Sequence, residues 1–376
     1  MKITNKNPEI LLVTRPLTPP WDEASKNFAY LLAKNLKKYH FHILVGKHDP
    51  SLGNHVTQHV IYRGSDWTTL QKTKLVLKLF IILKKNPQIN IVHFLFAPTP
   101  FNTRILQKLI SVFPLRVVQT VARIYEYNKL KMNSLLFADK LIVYSHYTAN
   151  QLNTIEKNKI KIISPFIEFN DFPPINTQER EKFRKKWGIN KEDKIILYPG
   201  EYSRLDALDN LWQGFLSLKD RLPNAKLYLA CRIKNREDQK EEKRFKKMVS
   251  SYHLSSSVNF LGKVPNIREI YSLSDLVVFP VKSMEGKFDF PFVLLEALSC
   301  GIPIVTSDIG ALPEIWEGDA NKLKKYVFPA GNINVFTNLC INILNNGAEK
   351  DLIDFVKSRF NKEDILKKYL NLYKNN

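Results

Sequence analysis

The 376-residue sequence is poor in cysteine and has no long apolar run. Its three cysteines, Cys231, Cys300 and Cys340, are too widely spaced for a zinc site and too few for a disulfide framework, which suits a reducing compartment. No apolar stretch approaches the roughly 20 residues that span a bilayer, and the apolar run after the first few residues is too short for a signal peptide. These absences predict a cytoplasmic protein.

Several nucleotide-binding and catalytic signatures are also missing. There is no G-x-G-x-x-G and no G-x-x-x-x-G-K-[ST], so neither a dinucleotide site nor a P-loop has its phosphate cradle. The G-x-S-x-G of serine hydrolases and the H-E-x-x-H of zinc proteases do not occur. The modules that mark nucleic-acid-binding proteins are not present either, so we expect no nucleic-acid partner.

Acidic residues are fewer than basic ones, and most of the excess positive charge lies in the amino-terminal half. The formal net charge is +21, and residues 1–176 carry 24 Lys and Arg against 10 Asp and Glu, a net charge of +14. A basic amino-terminal half favours an anionic partner, such as a membrane leaflet or an acidic acceptor. The alternative is an ordinary lysine-rich surface.

What the sequence does contain is a regular alternation of strand and helix patterns. Continuous apolar runs typical of buried parallel strands recur between amphipathic helices, from residues 9–14 to residues 302–306. Residues 166–176, with two prolines and two acidic residues, are predicted to form a linker, after which the pattern restarts. The sequence therefore predicts an α/β protein with two Rossmann-like halves. Ligands of such sheets bind at the carboxyl ends of the strands.

The most distinctive segment, residues 289–310, places one carboxylate, Glu296, within an almost wholly apolar helix pattern. Asp289 suits the cap of this helix, Pro291 its first turn and Gly301 its end. A carboxylate in such surroundings costs on the order of 1–3 kcal/mol unless it is hydrogen-bonded. Glu296 is therefore predicted to be satisfied by another residue or by a ligand, and two adjacent ribose hydroxyls match its two oxygens.

This segment resembles the donor-site signature of the retaining glycosyltransferases of family 4 (group 1 type). In that family a glutamate inside this helix binds the ribose of a nucleotide-sugar, and Glu296 occupies that position. The alternative is an exposed or salt-bridged helix glutamate. The resemblance covers nearly the whole chain, although its specific motifs lie mainly in residues 195–316.

The resemblance implies the GT-B fold, in which two Rossmann-like domains with parallel sheets face each other across an interdomain cleft. Residues 1–170 would form the acceptor-side domain and residues 171–360 the domain that binds the nucleotide-sugar donor. Residues 361–376 would form a helix that crosses back to the amino-terminal domain.

On the donor side, the family carries Glu-Gly with seven residues between its glutamate and the ribose glutamate, and Phe288 stands at that position here. Asp289 lies seven residues before Glu296, and the variant Asp-Phe-Pro, which includes Phe290, is similar to a sub-branch of the family. The resemblance therefore implies that Asp289 contacts the donor sugar, with helix capping as its alternative. The dipeptide Glu285-Gly286 is the fallback.

The segment after the first strand of the second half departs from the family pattern. The family usually has Gly-Arg there and Lys-Gly a few residues later, and these cations neutralise the leaving diphosphate. In this chain Glu201 replaces the arginine and Asp206 replaces the lysine. The resemblance leaves Arg204 as the expected phosphate partner, with Arg232 or Lys234 as a second cation.

Two glycines match family positions beside the donor. Gly262 would let the backbone approach the nucleotide base, and Gly310 lies in the loop that closes over the donor. A plain turn glycine is the alternative for Gly262.

In the amino-terminal half, the loop that holds Trp21 and Asp22 follows the first strand, where the family contacts the acceptor. Asp22 is equally suited to cap the next helix. His93 resembles the histidine at the reaction centre of many relatives, with a structural core histidine as the alternative. Arg123 replaces a second family histidine and would offer a cation to an acidic acceptor.

Residues 68–85 form an amphipathic pattern in which five lysines are interspersed among apolar residues, including Leu75, Val76, Leu79, Phe80, Ile82 and Leu83. A helix of this composition can lie on an anionic leaflet, each lysine contributing about 1 kcal/mol near the surface. The alternative is a surface helix whose apolar stripe faces the core.

The residues and the resemblance together predict a retaining, metal-independent, hexosyltransferase-like enzyme of polysaccharide biosynthesis. It would transfer a sugar from a nucleotide-sugar to a hydroxyl of a glycan or of a lipid-linked or cell-surface precursor. No cofactor and no metal is expected, and peripheral contact with the inner face of the plasma membrane is predicted. The alternative, motivated by Glu201 and Asp206, is a catalytically impaired sugar- or nucleotide-binding partner subunit.

Overall fold

The computed structural model describes residues 8–19, 23–62, 69–95, 100–122 and 132–374. The chain clusters into two compact units. The first unit comprises Met1–Ile167, Gly286–Asp289 and Phe360–Asn376, and the second comprises Glu168–Glu285 and Phe290–Arg359. The main division, at residues 167/168, lies close to the 170/171 boundary predicted from the sequence.

The first unit is built on a seven-stranded parallel sheet in the order β3-β2-β1-β4-β5-β6-β7. Its interior strands are almost completely inaccessible to solvent, as expected of apolar runs covered on both faces. The strands are β1 (Glu9–Leu17), β2 (His40–Val45), β3 (Val56–Val60), β4 (Ile89–Phe94), β5 (Arg116–Val121), β6 (Lys140–Val143) and β7 (Ile160–Ile162). The connecting helices are α1 (Ala24–Asn35), α2 (Thr69–Lys85), α3 (Pro100–Ile110), α4 (Met132–Leu135) and α5 (His146–Gln151).

The second unit contains a six-stranded parallel sheet in the order β10-β9-β8-β11-β12-β13. The strands are β8 (Lys194–Tyr198), β9 (Ala225–Leu229), β10 (Val258–Phe260), β11 (Leu276–Phe279), β12 (Ile304–Ser307) and β13 (Val327–Phe328). The helices are α6 (Thr177–Lys186), α7 (Leu208–Arg221), α8 (Arg236–Ser251), α9 (Ile267–Leu273), α10 (Phe292–Ser299), α11 (Ala320–Tyr326), α12 (Ile333–Asn346) and α13 (Leu352–Arg359). This is the doubly wound order, whose chain reversal lies between β8 and β11.

The last helix, α14 (Lys362–Lys374), belongs to the first unit. Tyr39 Oη donates to the Leu370 carbonyl at 3.1 Å, and Arg116 Nη2 donates to the Leu372 carbonyl at 2.6 Å. Both ends of the chain therefore contribute to one core.

The α/β class with two parallel sheets is confirmed, but helix α6 was not expected. α6 lies just after the predicted linker and has almost no apolar stripe. It is held by charge instead: Arg180 donates to Asp275 at 2.5 Å and to the Ser274 carbonyl at 2.7 Å. Among the described residues, no helix is both long and apolar enough to cross a membrane.

Candidate functional site

The loops that follow β8 and β11 meet at the carboxyl edge of the second sheet. The Lys282 backbone N–H donates to the Leu205 carbonyl at 3.0 Å, and Asn210 Nδ2 donates to the Pro280 carbonyl at 3.3 Å. This is the point at which the strand order reverses, where open α/β sheets bind their ligands. Within the second unit, the candidate site is therefore formed by residues 199–207, 280–285 and 290–291, with α10 directly after them.

Glu296 lies one turn into α10 and is partly buried. Its Oε2 accepts a hydrogen bond from Tyr271 Oη at 3.1 Å, and the same hydroxyl lies 2.9 Å from the Val293 carbonyl oxygen. Tyr271 is fully buried on α9. The single phenol proton of Tyr271 is shared between two acceptors, so the Glu296 carboxylate receives at most part of one hydrogen bond.

Burial raises the pKa of Glu296 to about 7, and the hydrogen bond from Tyr271 opposes that shift. Within the described part of the chain, no Lys or Arg forms an ion pair with Glu296. The exposed or salt-bridged glutamate considered above is therefore not what the structure contains. Glu296 is a shielded carboxyl group with unused acceptor capacity.

The loop after β8 carries a buried acidic residue. Glu201 forms an ion pair with Lys234, which follows β9, so part of the positive charge expected from Lys234 is already neutralised. Asp238 ties the same two loops together: it accepts from Ser203 Oγ at 2.7 Å and from the Lys234 backbone N–H at 2.9 Å. These contacts join the loop after β8 to the loop after β9.

The two arginines expected to meet the diphosphate differ in exposure. Arg204 is exposed in the loop after β8, and Arg232 is partly buried just after β9. Asp206, which replaces the family's lysine, is exposed and has a left-handed backbone with φ of 48°, a conformation that aspartate tolerates better than most residues. The loop therefore presents Arg204 and Asp206 to solvent two residues apart.

Asp289 is buried and does not cap α10, so the capping interpretation was wrong. The helix begins at Phe292 with Pro291 at its N-cap, and no side chain caps it. Asp289 instead accepts from Ser145 Oγ at 2.6 Å and from Thr148 Oγ1 at 2.9 Å. These two hydroxyls of the first unit explain its burial, because each compensates one carboxylate oxygen.

The remaining donor-side residues lie at loop positions. Glu285 is exposed, whereas Gly286 and Phe290 are buried. Gly262 and Gly310 have φ of 62° and 63°, and an added Cβ at Gly262 would meet nothing within 4 Å. Backbone conformation, not crowding, therefore accounts for glycine at position 262.

His93 lies on β4 and is completely buried. Its Nδ1 is hydrogen-bonded to Tyr373 Oη at 2.6 Å and its Nε2 to Thr120 Oγ1 at 2.7 Å. Burial lowers the pKa of His93 to about 3, so the ring is neutral at physiological pH. With both nitrogens occupied, the geometry favours a structural core histidine, the alternative weighed from the sequence.

Three predicted acceptor-side residues, Trp21, Asp22 and Arg123, lie outside the described residues. Two positioning residues were not found from the sequence. Neither Tyr271 nor Asp238 was predicted to have a role here. The contacts that matter join distant residues, because Glu296 lies 25 residues from Tyr271 and Ser203 lies 35 residues from Asp238.

The two units define a class of protein, since their arrangement of elements is that of the GT-B glycosyltransferases. Sucrose-phosphate synthase from Thermosynechococcus elongatus superposes with a TM-score of 0.76 at 18% identity, covering 97% of this chain and 98% of that one. Anabaena HepE in complex with UDP and glucose gives a TM-score of 0.75 at 15% identity, covering 97% and 99%. These likenesses establish the GT-B fold.

Residues 179–358 match the family described as "Glycosyl transferases group 1". The match confirms the resemblance seen in the sequence, and glycosyltransferase, the predicted enzyme class, is the class of that family. A relative, N-acetyl-alpha-D-glucosaminyl L-malate synthase of Bacillus anthracis, is 25% identical over 243 residues, 63% of this chain. The match spans 59% of that relative's length.

Proposed function

We propose that this protein is a retaining glycosyltransferase that transfers a sugar from a nucleotide-sugar to a hydroxyl group of a glycan or a lipid-linked precursor. The observation that carries the proposal is Glu296, a shielded carboxyl group without a cationic partner among the described residues. The cis-diol of a ribose offers two O–H donors to the two carboxylate oxygens, which would compensate the cost of burying them. The resemblance assigns the same role to this position.

The proposed reaction needs cations where the diphosphate leaves. Arg204 and Arg232 follow the adjacent strands β8 and β9, so both start from the same edge of the sheet. Charge developing on the departing phosphate is where such groups contribute most to rate. In a retaining transfer, the phosphate oxygen takes the proton of the acceptor hydroxyl on the same face of the sugar, and no side-chain base and no metal ion is required.

The surface of α2 supports a lipid-linked acceptor at an anionic membrane. Leu77, Phe80 and Ile81 are 63%, 45% and 42% exposed, unusual values for large apolar side chains. The exposed lysines Lys74 and Lys78 lie on the same helix surface. Apolar side chains flanked by lysines are what an interfacial helix presents to acidic headgroups. We place the enzyme at the cytoplasmic face of the membrane.

A second candidate function is favoured by Glu201. A buried carboxylate at the position of the family's arginine, paired with Lys234, lowers the positive charge available to a diphosphate. A protein with this defect would bind a nucleotide or sugar without transferring it, as a partner subunit. The two candidates differ in turnover and not in binding.

Release of nucleoside diphosphate from a panel of UDP-, GDP- and ADP-sugars, with acceptor mixtures, tests the proposal. Wild-type protein should release one of the three diphosphates, and Glu296→Gln should reduce the rate by about 10- to 100-fold, since hydrogen bonds to charged groups contribute about 1.5–3 kcal/mol. Glu181→Gln, at an exposed glutamate of α6, is the matched control. Nucleotide binding without release in every mixture would support the partner subunit instead.

A further inference from the structure

Glu9, His40 and His42 form a compact polar cluster in the first unit. One ligand atom from each residue lies within 4.8 Å of the other two. Glu9 Oε2 and His42 Nε2 are 2.9 Å apart. His42 is buried, and the other two side chains are partly buried.

The sheet brings these residues together by register. Glu9 begins β1 and pairs with His40, which begins β2. His42 lies two residues after His40, so both imidazoles project from the same face of the strand. The cluster therefore occupies the amino-terminal edge of the sheet, the edge opposite to the one at which ligands of open α/β sheets bind.

The neighbouring strand β3 holds the two imidazole rings. His40 Nε2 is hydrogen-bonded to Thr57 Oγ1 at 2.7 Å, and His42 Nδ1 is hydrogen-bonded to His59 Nε2 at 3.0 Å. The His42 and His59 rings are stacked, with centroids 5.3 Å apart. Outer hydrogen bonds of this kind fix the orientation of histidines that bind metals, because they occupy the nitrogen that does not face the ion.

We propose that Glu9, His40 and His42 bind one transition-metal ion, with Zn²⁺ as the fitting species. Two imidazoles and a carboxylate suit zinc, whereas calcium and magnesium require all-oxygen sites. Zinc ligands lie about 2.0–2.2 Å from the ion, so tetrahedral ligand atoms are about 3.3 Å apart. Glu9 Oε2 and His42 Nε2 are 2.9 Å apart and all three ligand atoms lie within 4.8 Å of one another, so small side-chain rotations would bring them to that spacing.

The protons on His42 and His59 can be rearranged so that a metal ion takes the place of the hydrogen bond between His42 and Glu9. Without metal, His42 Nε2–H donates to Glu9, and His59 Nε2–H donates to His42 Nδ1. With metal, His42 Nε2 binds the ion, His42 Nδ1–H donates to His59 Nε2, and His59 carries its proton on Nδ1. Each ring stays neutral and keeps one proton, so the ion replaces a hydrogen bond without releasing a proton, and Glu9 offsets one of its two positive charges. Water would take the fourth position.

The proposed ion is structural. It would join β1 to β2 at the edge away from the strand carboxyl ends, so the metal independence proposed for sugar transfer is unaffected. Binding only to the folded chain, it would raise the unfolding temperature in proportion to the logarithm of its concentration.

The test is direct metal binding by the full chain without a histidine tag, after treatment with EDTA. Calorimetry with ZnCl₂ should show one site per chain, and Co²⁺ should give the visible absorption bands of a tetrahedral complex. Glu9→Gln and His40→Gln should each weaken zinc binding by at least about tenfold, and Thr57→Val should weaken it by a smaller factor. His55→Gln is the matched control, because His55 lies in the same unit and its Nε2 is hydrogen-bonded to the Ala33 carbonyl instead.

Thermal unfolding in EDTA establishes that each variant is folded, and Thr57→Val keeps all three proposed ligands if a ligand variant fails to fold. No zinc binding by wild-type protein, or binding equal in Glu9→Gln, His40→Gln and wild type, would overturn the proposal. Since the readout is metal binding, the result is independent of whether any nucleotide-sugar is turned over.

Discussion

Tyr271 Oη lies 3.1 Å from Glu296 Oε2 and 2.9 Å from the Val293 carbonyl oxygen. When Glu296 is ionised, the phenol proton can point to it. When Glu296 is protonated, its own O–H can donate to Tyr271, which then donates to Val293. The protonation state of one carboxyl group therefore decides the direction of the whole chain of hydrogen bonds.

Tyr271→Phe should raise the pKa of Glu296 above its present value of about 7, because the bond from Tyr271 is the group that lowers it. If the carboxylate binds a ribose, nucleoside diphosphate affinity should fall by about tenfold near neutral pH and recover at higher pH. Calorimetric titration from about pH 6 to about pH 9 measures this shift. Tyr252→Phe, at an exposed tyrosine, is the control. An unmoved pH midpoint would show that Tyr271 does not act through Glu296.

Glu296→Gln should stabilise the protein at alkaline pH while impairing it as an enzyme. The pKa of Glu296 is raised from 4.5 to about 7, so its contribution to stability is complete below about 4.5 and is lost as the pH rises to about 7. The unfolding temperature of the variant should exceed that of wild type by a few degrees at about pH 8 and match it at about pH 4.5. A lower unfolding temperature at about pH 8 would mean that the carboxylate has a favourable partner in the folded protein.

Glu201→Gln should raise affinity for a free nucleoside diphosphate, because the neutral amide no longer compensates the charge of Lys234. We expect an increase of about three- to tenfold at low salt, fading as the ionic strength rises. Glu237→Gln removes the same charge from an exposed pair with Lys240 and should have little effect. Equal changes in the two variants would assign the gain to net charge alone.

Replacing Lys74 and Lys78 together by glutamate should abolish most binding to vesicles that contain anionic lipid. Each lysine contributes about 1 kcal/mol near such a surface, so reversing two charges should weaken binding by at least about tenfold. Co-sedimentation with neutral and anionic vesicles measures the loss. Lys243→Glu with Lys247→Glu, two exposed lysines of α8, reverses the same charge elsewhere. If this pair has the same effect, α2 is not the membrane surface.

Much of the fold was predictable because parallel strands leave continuous apolar runs, and β5, β8 and α9 begin and end at the predicted residues. The errors have a common cause in weak apolar patterning. α6 is almost wholly polar and depends on ion pairs with Asp275, which lies about ninety residues away. β13 has only two residues, too few to show a periodic apolar pattern.

The candidate site was predictable only in part. Glu296 stood out because a local apolar helix surrounds it, a feature the sequence displays directly. The hydroxyls that satisfy Asp289 come from Ser145 and Thr148, more than 140 residues earlier. No spacing rule connects such residues, so the sequence suggested a contact with the donor sugar or a helix cap, whereas in the folded chain both carboxylate oxygens of Asp289 accept hydrogen bonds from these hydroxyls.

The hydrogen bond between His93 and Tyr373 joins residues 280 positions apart. A ribosome therefore completes the second unit, which needs nothing beyond Arg359, before it releases the helix that finishes the first. The core of the first unit can therefore be completed only after this helix has been synthesised, because Tyr369 and Tyr373 are buried in that core.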